Sequence, residues 1–155
     1  MKHLFLISAF LYLGCVSNTK TTLLNEDTLS QTLIEHSQNF QLAYINNDFE
    51  DANAFMSTDF ETTVFNSNGT DLIIQNQDNI ENSGEGWDFN EFVMSNHSVA
   101  YSADQTTAVV VFNTDGSISF EGGEQNVPYA TRASQTWVKT SMGWKIMHSH
   151  WSPRV

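Results

Sequence analysis

A helical region followed by a long series of strand-like segments is the feature that most constrains the fold of this chain. From residue 60 onward, β-branched and aromatic residues recur in short runs, a pattern typical of strands. The runs cover 60–65, 98–101, 106–113, 117–121, 129–140 and 144–151. Turn residues at 114–117 and 140–143 separate consecutive runs and predict a mainly antiparallel sheet. The least regular stretch, 71–91, predicts a loop or lid with a short helix near 87–92.

Two helices are predicted before the strands. Thr28 followed by Gln31 has capping-box chemistry and predicts a helix start at Thr28. Asn46 and Asn47 can end this helix, and Asp48 can cap a shorter second one. The expected inward side chains are Leu29, Leu33, Phe40 and Tyr44 on the first helix and Phe49, Ala52, Phe55 and Met56 on the second. Helices followed by strands predict an α+β domain, with the helices on one side of a bent sheet.

Length and charge limit what the protein can be. The chain has 155 residues, enough for one domain with a sizeable core. Its 40% hydrophobic content excludes global disorder. Six Lys and Arg against 18 Asp and Glu give a net charge of -12, which repels a phosphate backbone. We therefore expect no nucleic-acid partner.

The first residues have the pattern of a targeting segment. Lys2 and His3 precede an apolar run, 4–13, that has the length of a signal-peptide core. The run ends in Leu13-Gly14-Cys15, which resembles the lipobox of bacterial lipoproteins, and Cys15 is the only cysteine. This resemblance implies a signal peptide at 1–14, then a lipidated Cys15 and a tether at 15–27. Alternatives are an ordinary secretory peptide with an incidental cysteine, or a buried helix.

That interpretation also gives a location. A cysteine carrying ester-linked and amide-linked acyl chains exceeds the two lipid signals needed for stable anchoring. We therefore expect a protein of the bacterial cell envelope, anchored to a membrane on the periplasmic or surface side. The domain proper is expected at 28–152.

The C-terminal stretch carries a family resemblance. Arg132, Ser134 and Trp137, followed by Gly143-Trp144 and His148-Ser149-His150, resemble the final hairpin of the nuclear transport factor 2-like superfamily. The similarity is strongest to its SnoaL-like branch and to the calcium/calmodulin-dependent kinase association domain. Segments 40–59 and 104–109 extend it, so that it covers 28–152. It implies a cone-shaped, strongly curved antiparallel sheet wrapped around N-terminal helices, an apolar pocket at the wide end, and a homodimer formed through the sheet.

The same resemblance bears on catalysis. Phe40 and Val64 stand where the related ketosteroid isomerases have a hydroxyl donor and a carboxylate base. Neither side chain can exchange a proton, and that isomerase mechanism requires both groups. The resemblance thus argues against this activity, and whether the protein is an enzyme stays open.

Five residues are candidates for ligand binding: Arg132, His148, His150, Trp87 and Tyr101. Arg132 is conspicuous because 21–131 contains no Lys or Arg. On a strand it shares a face with Ser134, Thr136 and Val138. The family resemblance implies a position at or near the pocket, where Arg132 could hold a carboxylate-bearing ligand. The alternative is a structural ion pair with an acidic side chain.

The two histidines allow several interpretations. His148 and His150 are expected to point to one side of their strand, together with Trp144 and Ile146. They could hydrogen-bond a ligand, act as acid and base, or simply hydrogen-bond within the sheet. A metal would need Asp59 or Glu61 as further ligands. The sequence has no calcium-loop alternation, phosphate loop or nucleophile motif, so we expect no metal ion and no cofactor.

The functional hypothesis follows from these observations. We expect a lipid-anchored envelope protein whose domain binds a small, partly apolar ligand or serves as a dimeric interaction module. One alternative is an isomerase, dehydratase or cyclase that uses a pocket histidine and Arg132. Another is a structural dimer whose pocket is filled by its own aromatic side chains.

Overall fold

The computed structural model describes residues 25–67, 69, 71–84 and 86–154. The expected signal peptide, Cys15 and the tether up to residue 24 lie outside the described residues. Within the described part of the chain, no helix combines the length and the apolar character needed to cross a membrane. The first described residue, Asn25, already caps a helix.

Helix α1 runs from Glu26 to Ile45. The side chain of Asn25 accepts a hydrogen bond from the Asp27 backbone N–H at 2.9 Å. The expected start at Thr28 is therefore wrong, because an earlier asparagine caps the helix and Thr28 lies within it. The buried residues of α1 are Leu29, Leu33, Ser37, Phe40 and Gln41.

The end of α1 and the start of α2 (Phe49–Asn53) follow the prediction. Asn46 is the C-cap of α1, and Asn47 adopts a left-handed conformation with φ 58. The Asp48 side chain caps α2 by accepting from the Asp51 backbone N–H at 3.2 Å. Ala52 and the following Met56 are buried, so the second helix packs inward as expected.

Six strands form one strongly curved sheet in the order β2-β1-β6-β5-β4-β3. The strands are β1 Thr62–Phe65, β2 Ile73–Gln75, β3 Trp87–Tyr101, β4 Thr107–Phe120, β5 Val127–Thr140 and β6 Gly143–Pro153. Neighbouring strands are antiparallel except β1 and β6, which run parallel. The α+β class and the curved, mainly antiparallel sheet around an N-terminal helix are confirmed.

The expected turn at 114–117 is wrong, because β4 passes through it without a break. Gly116 lies so close to β3 that a Cβ atom there would overlap the backbone oxygen of Glu91. The register between β3 and β4 is irregular between Phe89 and Glu91. Gly116 therefore allows two strand backbones to approach closely at a bulge, and it does not form a turn. The chain reverses at 121–126 instead.

The stretch 71–91 also differs from the prediction. Residues 87–92 form the start of β3 rather than a short helix. A 3₁₀ helix lies earlier, at Ile80–Gly84, and places the Ile80 side chain in the core. Strand β2 was not expected, and it forms one edge of the sheet beside β1.

A bulge in β6 changes the face on which its later residues point. The register with β5 shifts by one residue at Met147, between the pairs Thr136–His148 and Trp137–Ile146. The buried apolar and hydroxyl residues of β6 are therefore Trp144 and Ile146 before the bulge and Ser149 and Trp151 after it. His148 and His150 point to the opposite face, so the expectation that they share a face with Trp144 and Ile146 is wrong.

The core lies between α1 and the concave face of the sheet. Leu33 on the helix and Trp137 and Ile146 on the sheet are completely buried, each at 0% exposure. One buried polar contact joins the two layers, since Ser37 Oγ donates to Gln135 Oε1 at 2.7 Å. Burial of these large apolar side chains contributes most of the stability of such a domain.

Replacing Gly116 with alanine should destabilise the protein by about 1–3 kcal/mol, because the new Cβ forces β3 and β4 apart. Gly123→Ala is the matched control, since its Cβ would make an ordinary contact 3.4 Å from the Phe120 Cβ. Urea denaturation measures both. Equal stability of the two variants would show that the close approach at Gly116 does not constrain the sheet.

Candidate ligand-binding site

A cavity, here called the inner hollow, lies between the C-terminal half of α1 and the sheet. Its volume is about 50 Å³. Its lining side chains come from helix α1, from strands β1, β2 and β6, and from the first residues of β3 and β5. The lining residues are Phe40, Gln41, Tyr44, Thr62, Val64, Asn66, Gln75, Trp87, Phe89, Phe92, Tyr129, Ile146, Ser149 and Trp151.

The chemistry of the inner hollow is neutral. The described residues that line it include no Asp, Glu, Lys, Arg or His. Phe40 and Val64, the two positions that the isomerase comparison singled out, both line it and are 4% and 5% exposed. The hollow thus offers apolar surface, amides and hydroxyl groups, but no side chain that exchanges protons near neutral pH.

A cluster of aromatic rings closes one side of the hollow. The ring centroid of Phe89 lies 5.0 Å from Trp87, 4.8 Å from Phe92 and 5.1 Å from Tyr129, all edge to face. Burial raises the pKa of the Tyr129 phenol, although hydrogen bonds with Ser67 and Thr131 act in the opposite direction. The phenol therefore keeps its proton at neutral pH and can act only as a hydrogen-bonding group.

A larger and more open cavity, here called the vestibule, adjoins the hollow. Asn66, Trp87 and Tyr129 line both cavities and so lie where the two adjoin. The vestibule has a volume of about 990 Å³. Its other walls come from β2, the segment before it and the end of β4, including Leu72, Ile74, Ile118 and Phe120. A ligand body too large for the hollow has room there.

Arg132 and His150 lie together, but on the outer face of the sheet. Both are exposed and line a shallow groove of about 330 Å³, here called the outer groove. Arg132 Nε donates to Ser152 Oγ at 3.1 Å. The expected face shared by Arg132, Ser134, Thr136 and Val138 exists, because the alternate residues of β5 are the buried ones. This face is turned away from the inner hollow.

His148 is also on the outer face. Its Nδ1 lies 2.8 Å from Thr63 Oγ1, and its ring stacks edge to face with Phe65 at 5.9 Å. The same Phe65 ring lies 6.0 Å from His150. The structure therefore gives both histidines neighbours within the sheet and separates them from the inner hollow.

Of the five candidate residues, Trp87 lines the hollow and Tyr101 does not. The Tyr101 hydroxyl hydrogen-bonds Ser30 and donates to the Glu26 carbonyl at 3.2 Å. These contacts fasten the end of β3 to the first turn of α1. Tyr101 thus supports the fold at the end of α1 away from Phe40 and Tyr44.

Residues that sequence reasoning missed include Gln41, Tyr129 and Ser149. Gln41 follows Phe40 on α1 and is only 6% exposed, so a polar residue beside the apolar face was the available signal. Ser149 was hidden by the bulge at Met147, which a regular period of two cannot reveal. Tyr129 opens the predicted run 129–140, but a strand pattern does not show which end faces a cavity.

No group of three or more potential metal ligands exists among the described residues. Two further histidines are partly buried in the core, and neither lines the inner hollow. Burial lowers the pKa of His36, with opposing effects of Glu35 and Lys145, and burial also lowers the pKa of His97. Both rings are therefore neutral near pH 7 and pack as aromatic groups, His36 against Phe55 and His97 on Phe112.

Solved structures with the same fold are numerous, and three illustrate their range. A nuclear transport factor 2 superfamily protein from Salmonella enterica serovar Typhimurium is 18% identical over 84% of this chain and 94% of its own, with a TM-score of 0.68. The association domain of C. elegans CaMKII is 21% identical over 82% and 97%, with a TM-score of 0.61. A ketosteroid isomerase-like protein from Erwinia carotovora atroseptica is 14% identical over 83% and 97%, with a TM-score of 0.59.

Sequence comparison gives the family. A search of curated proteins finds no match. The family model of the SnoaL-like domain matches residues 35–155, most of the chain. The solved structures, at these identities, show the fold alone. The match to the family model shows that the chain belongs to the SnoaL-like domain family, and its fold is the one seen in nuclear transport factor 2-like structures.

Proposed function

We propose that this protein binds a small, neutral, partly apolar molecule in the inner hollow and its vestibule. The observation that carries the proposal is the lining of the inner hollow: aromatic rings, amides and hydroxyl groups, with no Asp, Glu, Lys, Arg or His among the described residues. A net charge of -12 disfavours anionic ligands further. Neutral molecules with an apolar body and few polar atoms fit such a site best.

The enzymatic alternative has less support. It required a pocket histidine and Arg132 near one point, whereas His148, His150 and Arg132 lie on the outer face of the sheet. The isomerase positions hold Phe40 and Val64. The alternative of a filled pocket is also weaker, because about 50 Å³ stays free in the hollow and a cavity of about 990 Å³ adjoins it at Trp87.

Filling the inner hollow should abolish binding of a neutral probe. We expect 2-acetylnaphthalene to bind the lipid-free chain (Cys15→Ala) and Val64→Phe to weaken binding at least tenfold, because the larger ring occupies the hollow. Val93→Phe, which enlarges an exposed valine on β3 outside the lining of the hollow, is the matched control. Isothermal titration calorimetry measures both. Undetectable binding, or equal loss in both variants, would contradict the proposed site.

A lipid anchor at Cys15 is the second part of the proposal. The run 4–13 and the Leu13-Gly14-Cys15 sequence support it, and the polar residues 16–25 suit a tether between membrane and domain. The protein would then act in the bacterial cell envelope, on the periplasmic or surface side of a membrane.

The proposed lipid anchor predicts that mutation of Cys15 changes the cell fraction in which the protein is found. Cys15→Ala should move the protein from the membrane pellet to the soluble fraction, because the thiol that carries the lipid is missing. Immunoblotting of fractionated cells measures the distribution. Retention of the variant in the membrane fraction would rule out the lipid anchor.

A homodimer through the outer face of the sheet is the third part. Two rows of outward-pointing side chains run across the strands, and neither row contains a carboxylate. The first row is Ser98, Val111, Ser134, His150 and Phe65; the second row is Ala100, Val109, Thr136, His148 and Thr63. In a chain with 18 acidic residues, this face minimises repulsion between two copies. The structurally similar C. elegans CaMKII domain is described as an association domain, which is consistent with a dimer formed in this way.

A carboxylate placed on this face should separate the copies. We expect light scattering to give twice the chain mass for the lipid-free chain and the single mass for Val111→Asp, because two buried carboxylates would repel. Val93→Asp on the edge strand β3 is the matched control, since Val93 is also exposed but lies outside both rows. A dimer that survives Val111→Asp would place the interface elsewhere.

A further inference from the structure

The side-chain amide of Gln41 faces a cavity and has no hydrogen-bond partner among the described residues. It projects from α1 into the inner hollow and is only 6% exposed. Its side chain makes no hydrogen bond to any residue in the described part of the chain. Buried polar side chains are nearly always hydrogen-bonded, because an unpaired one costs stability. An unpaired amide facing a cavity therefore indicates a group that pairs with it when the cavity is occupied.

Ser149 supplies a second hydrogen-bonding group to the same hollow. It is 3% exposed and projects from β6, on the sheet that faces α1. Its oxygen accepts a hydrogen bond from Trp151 Nε1 at 2.6 Å. That bond orients the hydroxyl and leaves its proton without an acceptor among the described residues. Toward the hollow, Ser149 therefore acts as a donor.

We propose that Gln41 and Ser149 form a subsite for a neutral carbonyl oxygen, the polar head of the bound molecule. The Gln41 side-chain N–H and the Ser149 O–H donate to this oxygen. The hollow, at about 50 Å³, admits a head of a few atoms, and the flat apolar body extends past Trp87 and Tyr129 into the vestibule. The ligand class is thus a ketone, ester or amide on an aromatic or alicyclic body.

The surroundings select against other head groups. A carboxylate would be buried without a cation, since no Lys, Arg or His is among the described residues that line the hollow. A hydrocarbon head would leave the Gln41 amide and the Ser149 proton unpaired. The carbonyl satisfies both donors without introducing a charge.

This inference rests on the proposed function. Three probes that share one naphthalene body allow the binding function and the carbonyl subsite to be tested separately. They are 2-acetylnaphthalene, 2-isopropenylnaphthalene, which replaces the oxygen by carbon, and 2-naphthoate, which is an anion. With the lipid-free chain (Cys15→Ala), we expect calorimetry to show the ketone binding about fivefold to tenfold tighter than the alkene. The carboxylate should bind more weakly than either.

Gln41→Leu should remove the preference for the ketone. We expect ketone binding to fall about fivefold to tenfold and alkene binding to stay equal or improve, because the unpaired amide is gone. The melting temperature of the unliganded variant should not fall, for the same reason. Gln31→Leu makes the same change on the exposed side of α1 and should alter neither affinity. If Gln41→Leu does not fold, Gln41→Met repeats the comparison with an unbranched side chain.

The outcomes distinguish the two proposals. Binding of ketone and alkene with equal affinity, or a ketone preference that persists in both Gln41 variants, would overturn the carbonyl subsite and leave the proposed binding function intact. Tightest binding of 2-naphthoate would also overturn it. Failure of all three probes to bind would contradict the proposed function and the subsite together.

Discussion

The packing of a single helix against a much longer curved sheet is the constraint on which the rest of the structure depends. Helix α1 has 20 residues and spans about 30 Å, whereas the 15 residues of β3 span about 50 Å. The helix is fastened at its start, where Tyr101 contacts Glu26 and Ser30. One end of the sheet therefore extends beyond the helix, and its concave surface must be covered by other groups.

The side chains that cover this end determine the chemistry of the cavities. Aromatic rings from β3 and β5, with Trp87 and Tyr129 among them, close the space beyond the C-terminal half of α1 and leave the inner hollow and the vestibule. The amide of Gln41 remains buried there without a hydrogen bond to any described residue. Because this amide faces the hollow, a group bound there could pair with it. The fold thus leaves a neutral cavity among the same residues that complete its core.

The sequence patterns predicted where helices and strands lie better than they predicted which face of a strand is buried. The cap at Asp48, the buried Leu29 and Leu33, and the mainly antiparallel sheet follow from local chemistry, and the structure confirms them. A period of two shows which residues share a face, but it does not show which face is covered. The bulge at Met147 inverts the later part of β6, and Gly116 marks a close backbone approach that resembles a turn in sequence. Both depend on neighbouring strands and are invisible to local patterns.

A crystal structure of the lipid-free protein with 2-acetylnaphthalene tests the central claim most directly. The account predicts that the acetyl group occupies the inner hollow, with its oxygen within hydrogen-bonding distance of Gln41, and that the naphthalene rings lie in the vestibule against Trp87 and Tyr129. Density for the probe only in the outer groove beside Arg132, with the hollow closed by its own side chains, would contradict it.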